Sequence, residues 1–165
     1  GTTRVPSIKK INRRYPYIAP GVKRGYTANL WIFVDQSGSV DDNSLSLLFG
    51  ELNQLARKMD ITVFPFDYSV DDKNVIKWKR GMKIDPKRTR CGGTSFDAVV
   101  EFIKDRKGQC DGALILSDGE CGQPAPAPCK FGYVVVPGRE LLFKPRPNEV
   151  HIKMDDKKAS MEGKW

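Results

Sequence analysis

Asp35, Ser37 and Ser39 occupy alternate positions directly after the apolar run Leu30-Trp31-Ile32-Phe33-Val34. One carboxylate and two hydroxyls therefore share a tight turn at the C-terminal end of a buried strand, the end at which open α/β sheets bind ligands. Alternation lets the two serine hydroxyls face one point, and Gly38 between them is expected to let the backbone turn closely. The cluster holds oxygen donors and no sulfur or imidazole, which suits a hard divalent cation: Mg²⁺, or Mn²⁺ or Ca²⁺ in its place. Two later segments carry related chemistry. Ala113-Leu114-Ile115-Leu116-Ser117-Asp118-Gly119 is a second apolar run ending in an aspartate, and Cys91-Gly92-Gly93-Thr94 is a glycine turn with a hydroxyl, ahead of a helical pattern.

These elements must be positioned by a sheet. Residues 28–34 read as a strand buried on both faces. Asp41, Asp42, Asn43 and Ser44 offer N-cap chemistry, and Leu45, Leu48, Leu52 and Leu55 follow at helical spacing, so a helix is expected to about Lys58. Ile61–Phe66 is the next strand, with Pro65 near its end. Val75–Trp78 reads as a short edge strand, and Phe96–Lys104 as a helix capped by Asp97 and stopped by Gly108. Strands follow at Ala113–Ser117, Phe131–Val136 and Glu149–Met154. Strand and helix in alternation imply mainly parallel pairing with right-handed crossovers. The fold class is α/β, a doubly wound and mainly parallel sheet of about six strands. Pro124, Pro126 and Pro128, and later Pro137, Pro145 and Pro147, leave no room for regular helices late in the chain. The C-terminal half of the sheet should therefore lack helix cover on one face, and the N-terminal arm, a neighbouring domain or a partner is expected to pack there.

The ordered triple of D-x-S-x-S, glycine-turn threonine and strand-ending aspartate resembles the von Willebrand factor A (VWA) domain with its metal-ion-dependent adhesion site. The likeness implies a Rossmann-like, VWA-type sheet over residues 26–155. It also implies a metal set of Asp35, Ser37, Ser39, Thr94 and Asp118, with the two carboxylates acting partly through water. The lead-in from Arg13 to Tyr26 looks like that of the C-terminal VWA-like domain of metallopeptidase-like proteins of bacteria and phages. In such domains a partner's Asp or Glu completes the cation's shell. The likeness further implies a MoxR-type AAA+ ATPase as a partner.

The chain has 165 residues and a formal net charge of +8. Residues 1–25 carry seven basic residues and no acid, so the charge belongs to an arm and the body is almost neutral. The arm either meets nucleic acid or an acidic surface, or is a solvated linker. Residues 156–165 read as a tail. A second basic run, Lys77, Lys79, Arg80, Lys83, Lys87, Arg88 and Arg90, either faces an acidic partner near Thr94 or keeps an edge strand soluble. Cys91, Cys110, Cys121 and Cys129 contain no C-x-x-C pair, so a structural zinc site has little support and free thiols in a reducing cytoplasm are expected. Cys121 with Cys129 is the first pair to test for a bridge.

No apolar run approaches the ~20 residues that span a bilayer, so no membrane partner is expected. One histidine, His151, cannot build H-E-x-x-H, and neither G-x-x-x-x-G-K-[ST] nor a strand-following G-x-G-x-x-G is present. Catalysis is not expected in this chain, and any peptidase chemistry of the wider family would lie upstream. The expected function is a cytoplasmic, metal-dependent protein-binding module. Nucleic-acid binding through the arm and the 77–90 run is the alternative. Asp67 and Glu120 lie close enough in sequence to approach the metal but are read as local structure, as is His151.

Overall fold

The computed structural model describes residues 29–83 and 88–154. The basic arm at 1–25, the tail at 156–165 and Lys87 lie outside the described residues. Among the described residues six strands and two helices follow one another as β1 (Leu30–Asp35), α1 (Asp42–Ala56), β2 (Ile61–Phe66), β3 (Ile76–Trp78), α2 (Phe96–Asp105), β4 (Gly112–Ser117), β5 (Lys130–Val135) and β6 (Val150–Lys153). They build one sheet in the order β3-β2-β1-β4-β5-β6. All pairings are parallel except β2 with β3.

Each helix buries one face of this sheet. Leu45, Leu48, Leu52 and Leu55 of α1 pack over Ile32, Val34, Val63, Leu114 and Val134, whose side chains share one side of the pleat. Val99, Val100 and Ile103 of α2 cover Trp31, Phe33, Phe64, Ile115 and Tyr133 on the other. The doubly wound arrangement is thus the expected one. Its signature is β1, buried at all six positions because both faces are covered. Asp41 caps α1, its side chain accepting from Ser44 N–H at 2.7 Å. Pro65 pairs with Val34 of β1 but lies beyond the last β2–β3 pair, Val63 with Ile76. Its carbonyl faces the β3 side, where it accepts from Asp71 N–H at 2.8 Å, so no strand on that side needs its missing N–H.

The α2 cap differs from expectation. Ser95, and not Asp97, is the N-cap and accepts from Ala98 N–H at 3.2 Å. Asp97 sits in the first turn and instead accepts from Ala125 N–H at 3.2 Å, pinning the proline-rich loop after β4. That loop also accounts for how the C-terminal half of the sheet, short of helix cover as expected, is buried. No helix follows α2 among the described residues, yet Phe131 and Tyr133 are buried. Ala125, Ala127, Leu141 and Phe143 from the two late loops lie over that face, with Phe143 edge-on to Tyr133 at 5.4 Å. Small alanines between prolines let an extended chain approach the sheet as a helix would, so the cover comes from these loops. No described helix is long and apolar enough to cross a membrane.

Candidate metal centre

The strand order reverses between β1 and β4. Chain leaving β1 turns toward β2 on one side, and β4 pairs on the other. At such a switch point the loops diverge and leave a crevice at the C-terminal strand ends. Asp35 ends β1 and Ser117 ends β4, so topology alone brings the two aspartate-bearing segments together.

Asp35 is fully buried. Its Oδ1 accepts from Ser37 N–H at 2.8 Å, which shapes the turn after β1. Its Oδ2 accepts from the Ser117 hydroxyl at 2.6 Å. Burial pushes the Asp35 carboxyl above its ordinary range; the Ser117 and Ser37 bonds pull it back, and the neighbouring Asp118 charge adds to the rise. Asp118 is 2% exposed. Its Oδ1 accepts from Glu120 N–H at 3.1 Å, while its Oδ2 is buried with no hydrogen-bond partner among the described residues. The serine hydroxyls of Ser37 and Ser39 lie 3.1 Å apart, Ser37 buried and Ser39 open to solvent.

Thr94 is half-buried on a loop that three contacts tie to the same crevice. Gly38 N–H donates to the Gly92 carbonyl at 3.0 Å, Ser95 N–H to the Asp67 carbonyl at 2.9 Å, and the Cys121 thiol to the Thr94 carbonyl at 3.7 Å. The structure thus gathers Asp35, Ser37, Ser39 and Asp118, with the Ser117 hydroxyl between the two acids, and attaches the Thr94 loop through backbone groups and the Cys121 thiol.

The residues present fit a divalent cation. An unpartnered oxygen on a buried carboxylate is costly, as is a second buried acid beside it, and one cation offsets both. Among the described residues no three His, Cys, Asp or Glu side chains gather into a metal group. The candidate set is two carboxylates completed by hydroxyls, which is the donor chemistry of Mg²⁺-type ions.

Several supporting residues carried little signal in the sequence. Ser117 donates to Asp35 and its hydroxyl lies 3.5 Å from Asp118 Oδ1, and only its place before Asp118 hints at that. Asp67 is buried under the Thr94 loop, accepting from Arg90 Nε at 2.8 Å and Gly92 N–H at 3.1 Å. A Cβ on Gly92 would lie 2.7 Å from Asp67 Oδ2 and 2.8 Å from the Tyr68 ring, so any larger residue there displaces one of these side chains. Gly38 is less constrained than expected, since a Cβ would meet only Cys91 Sγ at 3.7 Å. Arg88 donates to the Gln36 carbonyl at 2.9 Å, to that of Ser37 at 3.4 Å and to that of Val40, and pairs with Asp42 at 3.3 Å. Two members of the basic run therefore point into the site's scaffold, while Lys77 lies exposed on edge strand β3. Glu120 pairs with Arg139 at 2.9 Å, and His151 is exposed on β6. Cys121 does not meet Cys129: the close pair is Cys110 with Cys129, at 3.9 Å.

Comparison with family models matches residues 30–160 to the VWA-like domain (DUF2201). The chain belongs to this VWA-like family. Domains of the VWA type are typically protein-binding modules, and some depend on a metal at the adhesion site. No curated protein matches the chain. Among solved structures, an aerotolerance-related membrane protein from Bacteroides fragilis is similar at 11% identity and a TM-score of 0.55, over 82% of this chain and 96% of that one. The ArnB paralog VWA2 from Sulfolobus acidocaldarius aligns at 12% identity and 0.55, over 85% of this chain and 45% of its own. Proximal thread matrix protein 1 from the mussel byssus, in a form with a zinc-occupied adhesion site, aligns at 12% identity and 0.55, over 84% of this chain and 46% of its own. At these identities the likeness shows the VWA fold.

Proposed function

We propose that this VWA-like domain is a divalent-metal-dependent protein-binding module that captures an aspartate or glutamate of a partner protein. The observation that carries the reading is the orphaned, buried Asp118 Oδ2 beside Asp35 at the switch point of the sheet. Ser37, Ser39 and Thr94 would hold the ion through hydroxyls, and Asp35 and Asp118 would act mainly through ordered water. When bound, a Mg²⁺-type cation would supply an electrophilic position on the solvent side for an incoming carboxylate. Ser39, exposed at the rim, leaves that side open. Ser117 and Arg88 keep the donors in place whether or not a ligand is present. The zinc-occupied adhesion site of the mussel protein, on the same fold, supports a metal here by analogy.

Protein is favoured over nucleic acid as the partner because Arg88 and Arg90 are spent on backbone carbonyls and on Asp67. By resemblance, the setting is the cytoplasm, with a MoxR-type AAA+ ATPase as partner class and a metallopeptidase-like protein of bacteria or phages as the parent chain. No catalytic role is assigned to this domain. The test is binding of an aspartate-containing peptide and its asparagine counterpart, read by NMR shifts in Mg²⁺ and again in EDTA. Binding confined to the aspartate peptide, lost in EDTA and changed little by salt, is the expected result. Binding to oligonucleotide that survives EDTA and weakens steeply with salt would favour nucleic acid.

A further inference from the structure

At the opposite end of the sheet from the metal crevice, Cys110 lies two residues ahead of β4 and Cys129 directly ahead of β5. These strands are parallel neighbours with Gly112 opposite Lys130, so the two cysteines sit one residue out of register on adjacent chains. Adjacent strands run about 4.8 Å apart, and disulfides join Cα atoms about 4.4–6.8 Å apart, so the spacing suits a bond without backbone rebuilding. The two sulfurs are 3.9 Å apart, with the Cys110 thiol donating to Cys129. Both cysteines are free thiols. Cys110 is buried and Cys129 half-buried, so one sulfur is reachable from solvent and the other waits behind it. Cys121, the other thiol near this stretch, is engaged elsewhere: it accepts from Phe96 N–H at 3.3 Å and donates to the Thr94 carbonyl.

We infer that Cys110 and Cys129 form an oxidative modification site, a dithiol that a low-molecular-weight disulfide converts to an internal disulfide. Cys129 is the attacking thiol and Cys110 the resolving one. The Cys129 thiolate attacks one sulfur of the small disulfide, a mixed disulfide forms, and one small thiolate leaves and takes a proton from solvent. The Cys110 thiol gives its proton to solvent, its sulfur attacks Cys129 Sγ, and the second small thiolate leaves. Two protein thiols are oxidised by two electrons in all, and one small disulfide is reduced to two thiols. The bond from Cys110 supports this order, since it holds Cys129 below the ordinary thiol range and, with burial, raises Cys110. The ring so closed contains Ser117, Asp118 and Cys121, hence the β4 side of the metal crevice.

The test treats the native chain with glutathione disulfide, blocks remaining thiols by alkylation, and maps peptides by mass spectrometry. Wild type is expected to yield a Cys110–Cys129 linked peptide and no lasting adduct at Cys129. Cys110→Ser should retain glutathione on Cys129, and Cys121→Ser should still form the link. Wild-type adducts confined to exposed Cys91, with Cys110 and Cys129 both alkylated, would overturn the inference; so would a link between Cys121 and Cys129.

Discussion

Ser117 donates its hydroxyl hydrogen to Asp35 Oδ2 over 2.6 Å, joining residues 82 positions apart at the ends of the two central strands. Gly119 N–H donates in turn to the Ser117 hydroxyl oxygen at 3.0 Å, so the serine is oriented from behind. A hydrogen bond to a charged group contributes about 1.5–3 kcal/mol, and a ligand's supporting partner is worth about tenfold or more in metal affinity. Ser117→Ala should therefore lower stability by about 2 kcal/mol in urea unfolding with EDTA present. It should also weaken Mg²⁺ binding about tenfold by calorimetry. Unchanged affinity would remove Ser117 from the site's support.

Gly119 follows the Asp118 carboxylate with φ +86°, and a Cβ there would lie 2.4 Å from the Glu140 carbonyl oxygen. Backbone cannot yield as a surface side chain does. Left-handed geometry alone costs a non-glycine residue about 1–2 kcal/mol, and the collision adds to it. Gly119→Ala is expected to lose about 3 kcal/mol or more in denaturant unfolding, placing it among the severe single substitutions. A loss below ~1 kcal/mol would mean that the loop after β5 moves aside freely.

Arg88 reaches back 51 residues to the Ser37 carbonyl and 52 to that of Gln36. It holds the turn from its carbonyl side while the hydroxyls face the crevice. Arg88→Ala should lower Mg²⁺ affinity about tenfold, and Arg88→Lys should recover little because a single ammonium cannot span the same carbonyls. Full recovery by lysine would reduce the role of Arg88 to charge alone.

Asp71 titrates below the ordinary carboxylate range. Burial pushes it up, but the side chain and N–H of Asn74, the N–H of Lys73 and the charge of Arg90 outweigh that. The folded chain binds the Asp71 proton more weakly than the unfolded chain does. Its stabilising contribution is therefore present above the unfolded value, near 3.9, and is lost as pH falls through the lower folded value. Asp71→Asn should cost about 1–2 kcal/mol at pH 7 and make thermal stability fall less steeply below about pH 4. A parallel loss at every pH would show that the charge is immaterial.

The architecture was legible because it rests on patterns local to each element. Apolar runs end in Asp35 and Asp118, leucines recur on α1, and Asp41 stands where a cap is needed. Prolines marked the late connections that hold no helix. What they left hidden was how Ala125 and Phe143 fold back on Tyr133, because a loop's path depends on the surface it meets. Composition marked Arg88 and Arg90 as basic surface, yet guanidinium groups satisfy inward carbonyls and carboxylates as readily as they face solvent. Spacing proposed Cys121 for Cys129, whereas the β4–β5 register places Cys110 beside it. Asp97 and Ser95 are both good caps by type, and only the direction of the entering chain decides between them.

We propose that Asp35, Ser37, Ser39, Thr94 and Asp118 hold one divalent cation. The most direct test is titration of Mn²⁺ into the chain, followed by the loss of the free-ion EPR signal and repeated for Asp118→Ala. Wild type should take up one ion per chain, displaced by excess Mg²⁺, and the variant should show no saturable binding. Equal binding by both proteins, or none by wild type at millimolar Mn²⁺, would contradict it.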